Sequence, residues 1–431
     1  MPHSDIRAEL MDVFMHGATA GRGWQQLVIA VDLDRAFSHA ELVDAVEGLV
    51  EAFPVLGCRY RRGFWRDRWT PVVDQPIESC VSVVEAGGDV EAQTTRFVRD
   101  VVEIEKDRPF KIALLSHLHG SRLLFAWAHV VGDANAGLVA IAEIARRLCR
   151  PTDPAPLTMA RSPWQVFPAL GFRHLPALVR GVAHESLRPL FELFIRPWTE
   201  ACNAAPGSGR FGYRLVRLAG GSHERFAAAC REKNATINDG LVAAALKLAG
   251  RRTGGGFTGA AYTLNLRRLL PNAGPSVANI SSACCVTLRG RGLDDPLQTV
   301  VRTTSVQKQG PAALAFALLP AIIFCMLPHG LLRRFSATVV FRWILFLLKR
   351  HAFVTNVGAI DPYVAPFGDA VRDAWMTGPF MRGFPTPIAL ASGFRETVTV
   401  SLCTADDISE PVLDRFAEEW KQALEEVAER R

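Results

Sequence analysis

The sequence predicts an α/β protein made of two halves of similar size. Its 431 residues exceed the length of one ordinary domain. Segments with strand-like and helix-like patterns alternate in both halves of the chain. Residues 204–210 contain one proline, two glycines and one serine, which is the composition of a linker. We therefore expect an N-terminal half over 1–200 and a C-terminal half over 201–431, each with strands and helices.

The first half opens with a short β-rich run at 27–33. Ser38 and Glu41 then have the spacing of a capping box, in which each side chain bonds the backbone N–H of the other residue. Apolar residues follow at helical intervals until Pro54 ends the helix. A second helix is predicted over about 90–105, and two strands over 111–118 and 121–131. The second strand is largely apolar, which is typical of a strand buried on both faces.

Another helix is predicted from Asn135, with apolar side chains recurring on one face. The second half continues with helices at about 223–233 and 238–251 and strands at 258–266 and 281–288. A hairpin over 388–392 and 396–403 and a charged final helix close the chain. The sequence contains no short repeat and no low-complexity tract.

The composition argues against several classes of protein. Apolar residues make up 49% of the chain and charged residues 21%, so there is material for a large core. The net charge of +6 comes without a nucleic-acid recognition motif, so no nucleic-acid partner is expected. The nine cysteines include no C-x-x-C pair, which favours reduced, buried thiols over a disulfide framework or a zinc site. No apolar run of signal-peptide type follows the N-terminus, so the expected location is the cytoplasm.

The segment 127–133 carries the main chemical signal. His129 and Asp133 have the spacing of zinc ligands on a helix, but the strand-like run before them and Gly132 between them argue against a helix. We therefore expect His129 at the exit of a strand and Asp133 just past a tight turn. An imidazole suits proton abstraction near neutral pH because its ordinary pKa is about 6.5.

The spacing alone leaves two interpretations of His129 open. In one, it is a catalytic base, and the buried carboxylate of Asp133 needs a cation to offset its desolvation. In the other, it is a core or rim histidine whose hydrogen bonds are satisfied by its neighbours.

The run His129-Val130-Val131-Gly132-Asp133 resembles the H-x-x-x-D motif of the condensation-domain superfamily. This superfamily includes condensation domains of non-ribosomal peptide synthetases, alcohol acyltransferases, wax ester synthases and polyketide-associated acyltransferases. Other segments resemble its further motifs in the same order along the chain, and this collinearity carries the resemblance. They are 53–60 (FPVLGCRY), 108–110 (RPF), 236–241 (TINDGL), 264–267 (LNLR), 277–279 (VAN), 355–358 (TNVG) and 391–394 (ASGF).

The resemblance implies two chloramphenicol-acetyltransferase-like lobes with mixed sheets flanked by helices, and a tunnel between them with His129 at its middle. It implies that His129 is the general base of an acyl transfer from a thioester to an alcohol or amine. Asp133 is then a structural residue that pairs with Arg267 and, with Gly132, supports the loop. The alternative for Arg267 is an ordinary surface charge.

We assign substrate binding to Asn356, Gly358 and Trp127, and the alternative for Asn356 is the capping of a turn. The resemblance implies no metal and no permanently bound cofactor. The co-substrate is acyl-CoA or an acyl group on phosphopantetheine, with any carrier protein acting in trans, and the acceptor is a small molecule. A catalytically inactive, condensation-like binding or scaffold protein is the alternative function.

Three positions depart from the superfamily's motifs. Ala128 stands where many members have a first histidine, Ala134 where many have glycine after the aspartate, and Ala278 where glycine precedes Asn279. The change at Ala134 is expected to reduce the freedom of the turn, because glycine alone adopts positive φ readily. None of the three changes removes the base.

Two apolar stretches, 311–327 and 335–348, are too short and too interrupted for transmembrane helices. Together with the basic stretch 165–198 they suit helices at a membrane interface or, equally, helices buried under the second lobe. Peripheral contact with the inner membrane face is the expectation that accompanies the first interpretation.

Overall fold

The computed structural model of the protein describes residues 4–19, 25–150, 160–162, 165, 176, 212–253, 257–270, 274–289, 294–309, 351–380, 386–405 and 408–429. Within these ranges the chain forms three sheets and nine α-helices, which confirms the predicted α/β class. The strands are β1 (Ile6–Arg7), β2 (Gln26–Leu33), β3 (Cys58–Arg61), β4 (Arg68–Pro71), β5 (Val81–Glu85), β6 (Phe110–His117), β7 (Gly120–Ala128), β8 (Gly212–Ala219), β9 (Thr258–Asn265), β10 (Ser281–Leu288), β11 (His351–Ala359), β12 (Val371–Thr377), β13 (Ile388–Phe394) and β14 (Thr397–Thr404). The helices are α1 (Leu10–Thr19), α2 (His39–Ala52), α3 (Val90–Arg99), α4 (Ala134–Cys149), α5 (Gly221–Glu232), α6 (Ile237–Thr253), α7 (Pro296–Gln309), α8 (Asp361–Val364) and α9 (Glu410–Glu429).

The first large sheet has five strands in the order β12-β2-β7-β6-β5. Only β5 and β6 run parallel, and the other neighbours are antiparallel. Alternate residues of β2 enter the same core as α2 and α4, because successive side chains of a strand point to opposite faces. The central strand β7 is buried along almost its whole length, as its apolar sequence predicts.

The second large sheet has six strands in the order β10-β9-β11-β13-β14-β8. Here β11 runs parallel to both β9 and β13, and the remaining pairs are antiparallel. Helices α6 and α9 pack with this sheet around the second core, and α5 packs against both helices. A small third sheet, in the order β1-β4-β3, lies beside the first core.

Strand β12 connects the two halves of the chain. Although it belongs to the second half of the sequence, it pairs antiparallel with β2 at the edge of the first sheet. The first core also contains Val277, Leu390 and Phe394 from the second half. The division between the two sheets therefore does not coincide with a single boundary in the sequence.

Two predicted elements end earlier than their patterns suggest. Helix α3 ends at Arg99 because side chains satisfy its last carbonyls: Lys111 Nζ donates to Phe97 O at 3.0 Å, and Gln26 Nε2 donates to Val98 O at 3.2 Å. Strand β7 ends at Ala128 because its carbonyl accepts from Val131 N–H at 3.0 Å and closes a turn. The capping box is present, since Ser38 N–H donates to Glu41 Oε2 at 2.8 Å and Glu41 N–H to Ser38 Oγ at 3.2 Å.

Several sequence-based expectations lie outside the described residues. They concern the linker 204–210, the apolar stretches 311–327 and 335–348, and all of the basic stretch except residues 165 and 176. Among the helices of the described ranges, none is both long enough and apolar enough to cross a membrane. Seven of the nine cysteines fall in these ranges, and all seven are free thiols.

Candidate functional site

His129 is the first residue after the central strand β7. Its backbone N–H donates to Gln25 O at 2.6 Å, and the turn that follows brings Val131 back over Ala128. The neighbouring side chains of Val130 and Val131 are buried, whereas the His129 side chain keeps part of its surface exposed. The structure thus places a partly buried histidine where the apolar strand ends.

The imidazole is held by a residue from the other half of the chain. His129 Nδ1 lies 3.1 Å from Oδ1 of Asn279, a residue 150 positions later in the segment before β10. The Asn279 amide also donates from Nδ2 to the carbonyl oxygens of His129, at 2.9 Å, and Val130, at 3.1 Å. The buried Asn279 side chain therefore binds both the imidazole ring of His129 and the backbone of residues 128–133, the motif turn.

Burial lowers the pKa of His129 below its ordinary value, because the charged imidazolium loses hydration. The carbonyl of His129 itself, the Asp133 carboxylate and the Asn279 side chain act in the opposite direction but are weaker. The net direction is downward, so the ring is neutral near pH 7 and carries a lone pair that can accept a proton.

The carboxylate of Asp133 accepts hydrogen bonds from the backbone of two separate segments. Asp133 is the N-cap of α4, where its Oδ1 accepts from Ala136 N–H at 3.0 Å. Its Oδ2 accepts from Ile280 N–H at 2.9 Å, directly after Asn279. Two backbone N–H groups and a guanidinium therefore contact the Asp133 carboxylate, which links the start of α4 to the segment before β10.

The cation beside Asp133 is Arg267, from the 3₁₀ turn that follows β9. Its Nη1 lies 2.8 Å from Asp133 Oδ2 and 3.1 Å from Oδ1, and both side chains are buried. Its Nη2 donates to Ala278 O at 2.8 Å. The ion pair therefore joins the motif turn of one lobe to the segment of the other lobe that carries Asn279.

The turn itself needs a small residue at Gly132 for steric reasons. A Cβ atom there would lie 2.4 Å from the Cβ of Ala136 and 3.4 Å from the backbone of Ala278.

The expected loss of turn freedom at Ala134 is wrong: Ala134 is the first residue of α4, and positive φ is not required of it. The alanine at this position is compatible with the turn.

Trp127 lies beneath the turn in the first core. Its indole N–H donates to Gly132 O at 3.1 Å, and its ring stacks on Phe125 with centroids 5.5 Å apart. The ring also packs so closely on α4 that a Cβ at Gly137 would lie 2.0 Å from it. Since Trp127 is 1% exposed, this geometry supports a packing role under the motif instead of the substrate contact expected from the sequence.

Asn356 and Gly358 lie where β11 departs from regular pairing with β13. Asn356 Oδ1 accepts from Gly358 N–H at 3.0 Å, and Gly358 has φ of +83°, a conformation that favours glycine. The chain then enters α8, where Tyr363 OH accepts from Asn135 Nδ2 at 2.9 Å. This contact connects the segment after β11 to the first turn of α4, which directly follows the H-x-x-x-D motif.

Arg161 is a further residue that binds the motif turn, and the sequence patterns did not predict it. Its Nη2 donates to Val131 O at 3.0 Å and lies 3.0 Å from the buried carboxylate of Asp12, while its Nε donates to Val277 O at 2.9 Å. It therefore also ties the motif turn to the segment before Asn279. Nothing in the proline-rich sequence around it signals this position.

Comparisons with known proteins identify the fold. No family model matches the sequence, and no curated protein matches it. The first condensation domain of the calcium-dependent antibiotic synthetase, in complex with a substrate analogue, is 15% identical, with 99% of this chain and 96% of that chain covered and a TM-score of 0.71. Polyketide synthase associated protein 5 from Mycobacterium tuberculosis is 18% identical, with 99% of each chain covered and a TM-score of 0.66.

The starter condensation domain of rhizomide synthetase, a mutant in complex with C8-CoA, is 13% identical, with 99% of this chain and 95% of that chain covered and a TM-score of 0.67. The chain therefore has the condensation-domain fold, which confirms the fold predicted from the H-x-x-x-D motif. An epimerization domain of tyrocidine synthetase has the same fold, with a TM-score of 0.65. The fold alone does not specify the reaction, so the function depends on the residues of the site.

Proposed function

We propose that the protein is an acyltransferase that moves an acyl group from a thioester to an alcohol or amine, with His129 as the general base. The observation that carries this proposal is the partly buried His129 at the contact between the lobes, whose ring contacts Asn279 while the carboxylate of Asp133 pairs with Arg267. An imidazole without a carboxylate partner on its ring is suited to remove a proton and return it within one reaction cycle.

The reaction conserves protons. His129 removes the proton of the acceptor hydroxyl or amine as its oxygen or nitrogen attacks the thioester carbonyl carbon. The carbon–sulfur bond then breaks, and the thiolate leaves with the proton from the imidazolium. Thioesters are activated enough that alignment of the two substrates beside a positioned base supplies most of the rate acceleration.

Two groups of residues have supporting roles in this proposal. Asp133, Arg267 and Gly132 hold the turn that presents His129, and their contacts form one network across the lobes. Asn356 and Gly358 contact the substrate, Asn356 as a donor to the acyl carbonyl or the pantetheine arm. The partly exposed position of Asn356 on an irregular part of β11 supports this assignment.

The proposed donor is acyl-CoA or an acyl group on a carrier protein that binds in trans, with no permanently bound cofactor. Support comes from the solved structures of the same fold, one in complex with C8-CoA and one with a substrate analogue.

A small alcohol or amine is the proposed acceptor, entering a tunnel between the lobes from the side opposite the donor. We place the reaction in secondary-metabolite or lipid biosynthesis, in the cytoplasm or at the inner membrane face.

A thiol-release assay tests this function. The purified chain is incubated with acyl-CoA thioesters of short, medium and long chains and with a panel of small alcohols and amines. Free thiol and the acylated acceptor are then measured by absorbance and mass spectrometry. Stoichiometric ester or amide and thiol are expected from at least one pair. A binding protein without activity would retain a thioester in equilibrium dialysis but form no product with any acceptor, and carrier-bound donors extend the panel.

The pH dependence of the reaction follows from the lowered pKa of His129. A general base must be unprotonated to accept a proton. The value of kcat/KM should therefore stay constant as the pH falls through 6.5, the ordinary pKa of histidine, and should decline only at lower pH. The charge that acts on the ring is Asp133, which is paired with Arg267. Initial rates at subsaturating acceptor and saturating donor, measured alongside circular dichroism to exclude unfolding, give the profile. An acid limb centred above 6.5 would contradict the burial argument.

A further inference from the structure

We propose that Asn279 is a positioning residue that holds the neutral His129 imidazole in the tautomer with its proton on Nδ1. Nε2 then carries the lone pair that accepts the proton of the substrate. The inference rests on the proposed acyl transfer and extends it, because it assigns the basic nitrogen and the side chain that selects it.

The orientation of the Asn279 amide follows from its two backbone partners. Its Nδ2 lies 2.9 Å from His129 O and 3.1 Å from Val130 O. Carbonyl oxygens only accept hydrogen bonds, so the NH2 group must face them. The reverse orientation would set the amide oxygen against two carbonyl oxygens and leave all three without a donor. Oδ1 is therefore the atom that faces the imidazole.

The tautomer of His129 follows from this orientation. Oδ1 only accepts, and it lies 3.1 Å from Nδ1, so Nδ1 must carry the hydrogen. A neutral imidazole has one N–H and one unprotonated nitrogen, which is then Nε2. The opposite tautomer would place the lone pairs of Nδ1 and Oδ1 against each other.

The position of Asn279 is itself fixed by its neighbours. The residue is 3% exposed, and the next N–H, of Ile280, donates to Asp133 Oδ2 at 2.9 Å. The preceding carbonyl, of Ala278, accepts from Arg267 Nη2 at 2.8 Å. The Asp133–Arg267 pair thus acts on the base indirectly, because it holds the segment whose asparagine selects the tautomer.

Two backbone acceptors compete with Asn279 for the proton of the ring. The carbonyls of His129 itself and of Gly132 both lie near enough to the imidazole to favour a protonated nitrogen. If either carbonyl were sufficient, loss of the Asn279 side chain would leave the tautomer unchanged. The experiment is therefore designed to separate Asn279 from these backbone carbonyls.

Nitrogen-15 NMR of protein labelled at histidine reports the tautomer directly, at about pH 8 where an imidazole is neutral. The chain has 11 histidines, so the His129 signals are identified by their loss in His129→Gln. We expect a protonated Nδ1 and an unprotonated Nε2 in the wild type. The opposite pattern in the wild type would overturn the inference without any variant of Asn279.

Variants of Asn279 then test its role. In Asn279→Ala the ratio of the Nδ1–H to the Nε2–H tautomer should fall about tenfold, the size expected for one lost hydrogen bond. The value of kcat should fall in proportion to the remaining fraction of the Nδ1–H tautomer, with little change in KM. Asn279→Asp keeps an acceptor for Nδ1–H but replaces the donor to the His129 and Val130 carbonyls with an oxygen, so it should be less stable than the wild type. In the folded variant the tautomer should persist, and the added charge should move the acid limb of the pH profile upward. An unchanged tautomer in folded Asn279→Ala would assign the selection to the backbone carbonyls of His129 or Gly132 and refute the role of Asn279.

Asn135→Ala is the matched control. Asn135 also makes one side-chain hydrogen bond of 2.9 Å close to the motif, but its partner is Tyr363. Its replacement should leave the His129 signals unchanged. The NMR result does not depend on turnover, so failure of the proposed acyl transfer would appear as absence of product with a normal tautomer. Failure of the present inference would appear as an altered tautomer assignment in an enzyme that still forms product.

Discussion

His129→Ala is expected to lower kcat for acyl transfer by about 10²- to 10⁴-fold, the usual contribution of a positioned general base. The acceptor then has to lose its proton to water, while the thioester still binds. KM for the donor should change little, because the imidazole contacts the acceptor proton and not the carrier arm. The substitution removes a partly exposed ring and one hydrogen bond to Asn279, so the fold should be retained.

The measurement is the thiol-release rate under saturating donor and acceptor, with His119→Ala as the control. His119 is exposed at the turn between β6 and β7, and its replacement should leave kcat unchanged. Circular dichroism on both variants verifies that each is folded. If folded His129→Ala retained a rate within a few-fold of the wild type, another group would be the base and the proposed role of His129 would be wrong.

The second large effect is expected on stability, from breaking the Asp133–Arg267 pair. Arg267→Met leaves the buried Asp133 carboxylate without its cation, and Asp133→Ala leaves the buried guanidinium without its anion and α4 without its cap. Removal of one partner from a buried pair destabilises a protein by about 3–5 kcal/mol, since the remaining charge loses hydration without compensation. Asp133→Ala should have the larger effect because it also removes a cap worth about 1 kcal/mol.

Urea denaturation followed by circular dichroism gives the free energy of unfolding of each variant. The double variant, Asp133→Ala with Arg267→Met, should be more stable than the sum of the two single changes predicts, because no unpaired buried charge remains. Glu103→Gln serves as the control, since Glu103 forms an exposed ion pair with Lys106 and its loss should leave the midpoint unchanged. Additive effects of the two single changes would show that the residues act independently.

Both predictions concern residues that the sequence had already singled out, for different reasons. His129 could be predicted because an apolar strand followed by a glycine and an aspartate implies a turn at a strand exit. The pairing of Asp133 with Arg267, in contrast, came from the resemblance to the condensation-domain superfamily. The two residues are 134 positions apart, so no local pattern determines the pair, and the structure brings them within 2.8 Å.

The role of Asn279 illustrates what local patterns omit. The segment 277–279 was noticed only as part of a motif resemblance, and the chemistry of its asparagine was not assigned. Its importance arises from a contact between lobes, in which one amide meets a ring nitrogen and two carbonyl oxygens of the motif turn. The ring of Trp127 packs in the core because side chains alternate along the strand, and its contact with substrate stays a prediction.

The sequence by itself determined the α/β class, six of the nine helices and seven of the fourteen strands of the described ranges, and the strand–turn–helix that carries His129. These features depend on local periodicity and capping. Only the tertiary structure decided that β12 completes the first sheet, that Arg161 clamps the motif turn, and that Asn279 meets the imidazole. Those features are contacts between distant segments. Their energies come from burial and hydrogen-bond geometry that exist only when both lobes are assembled.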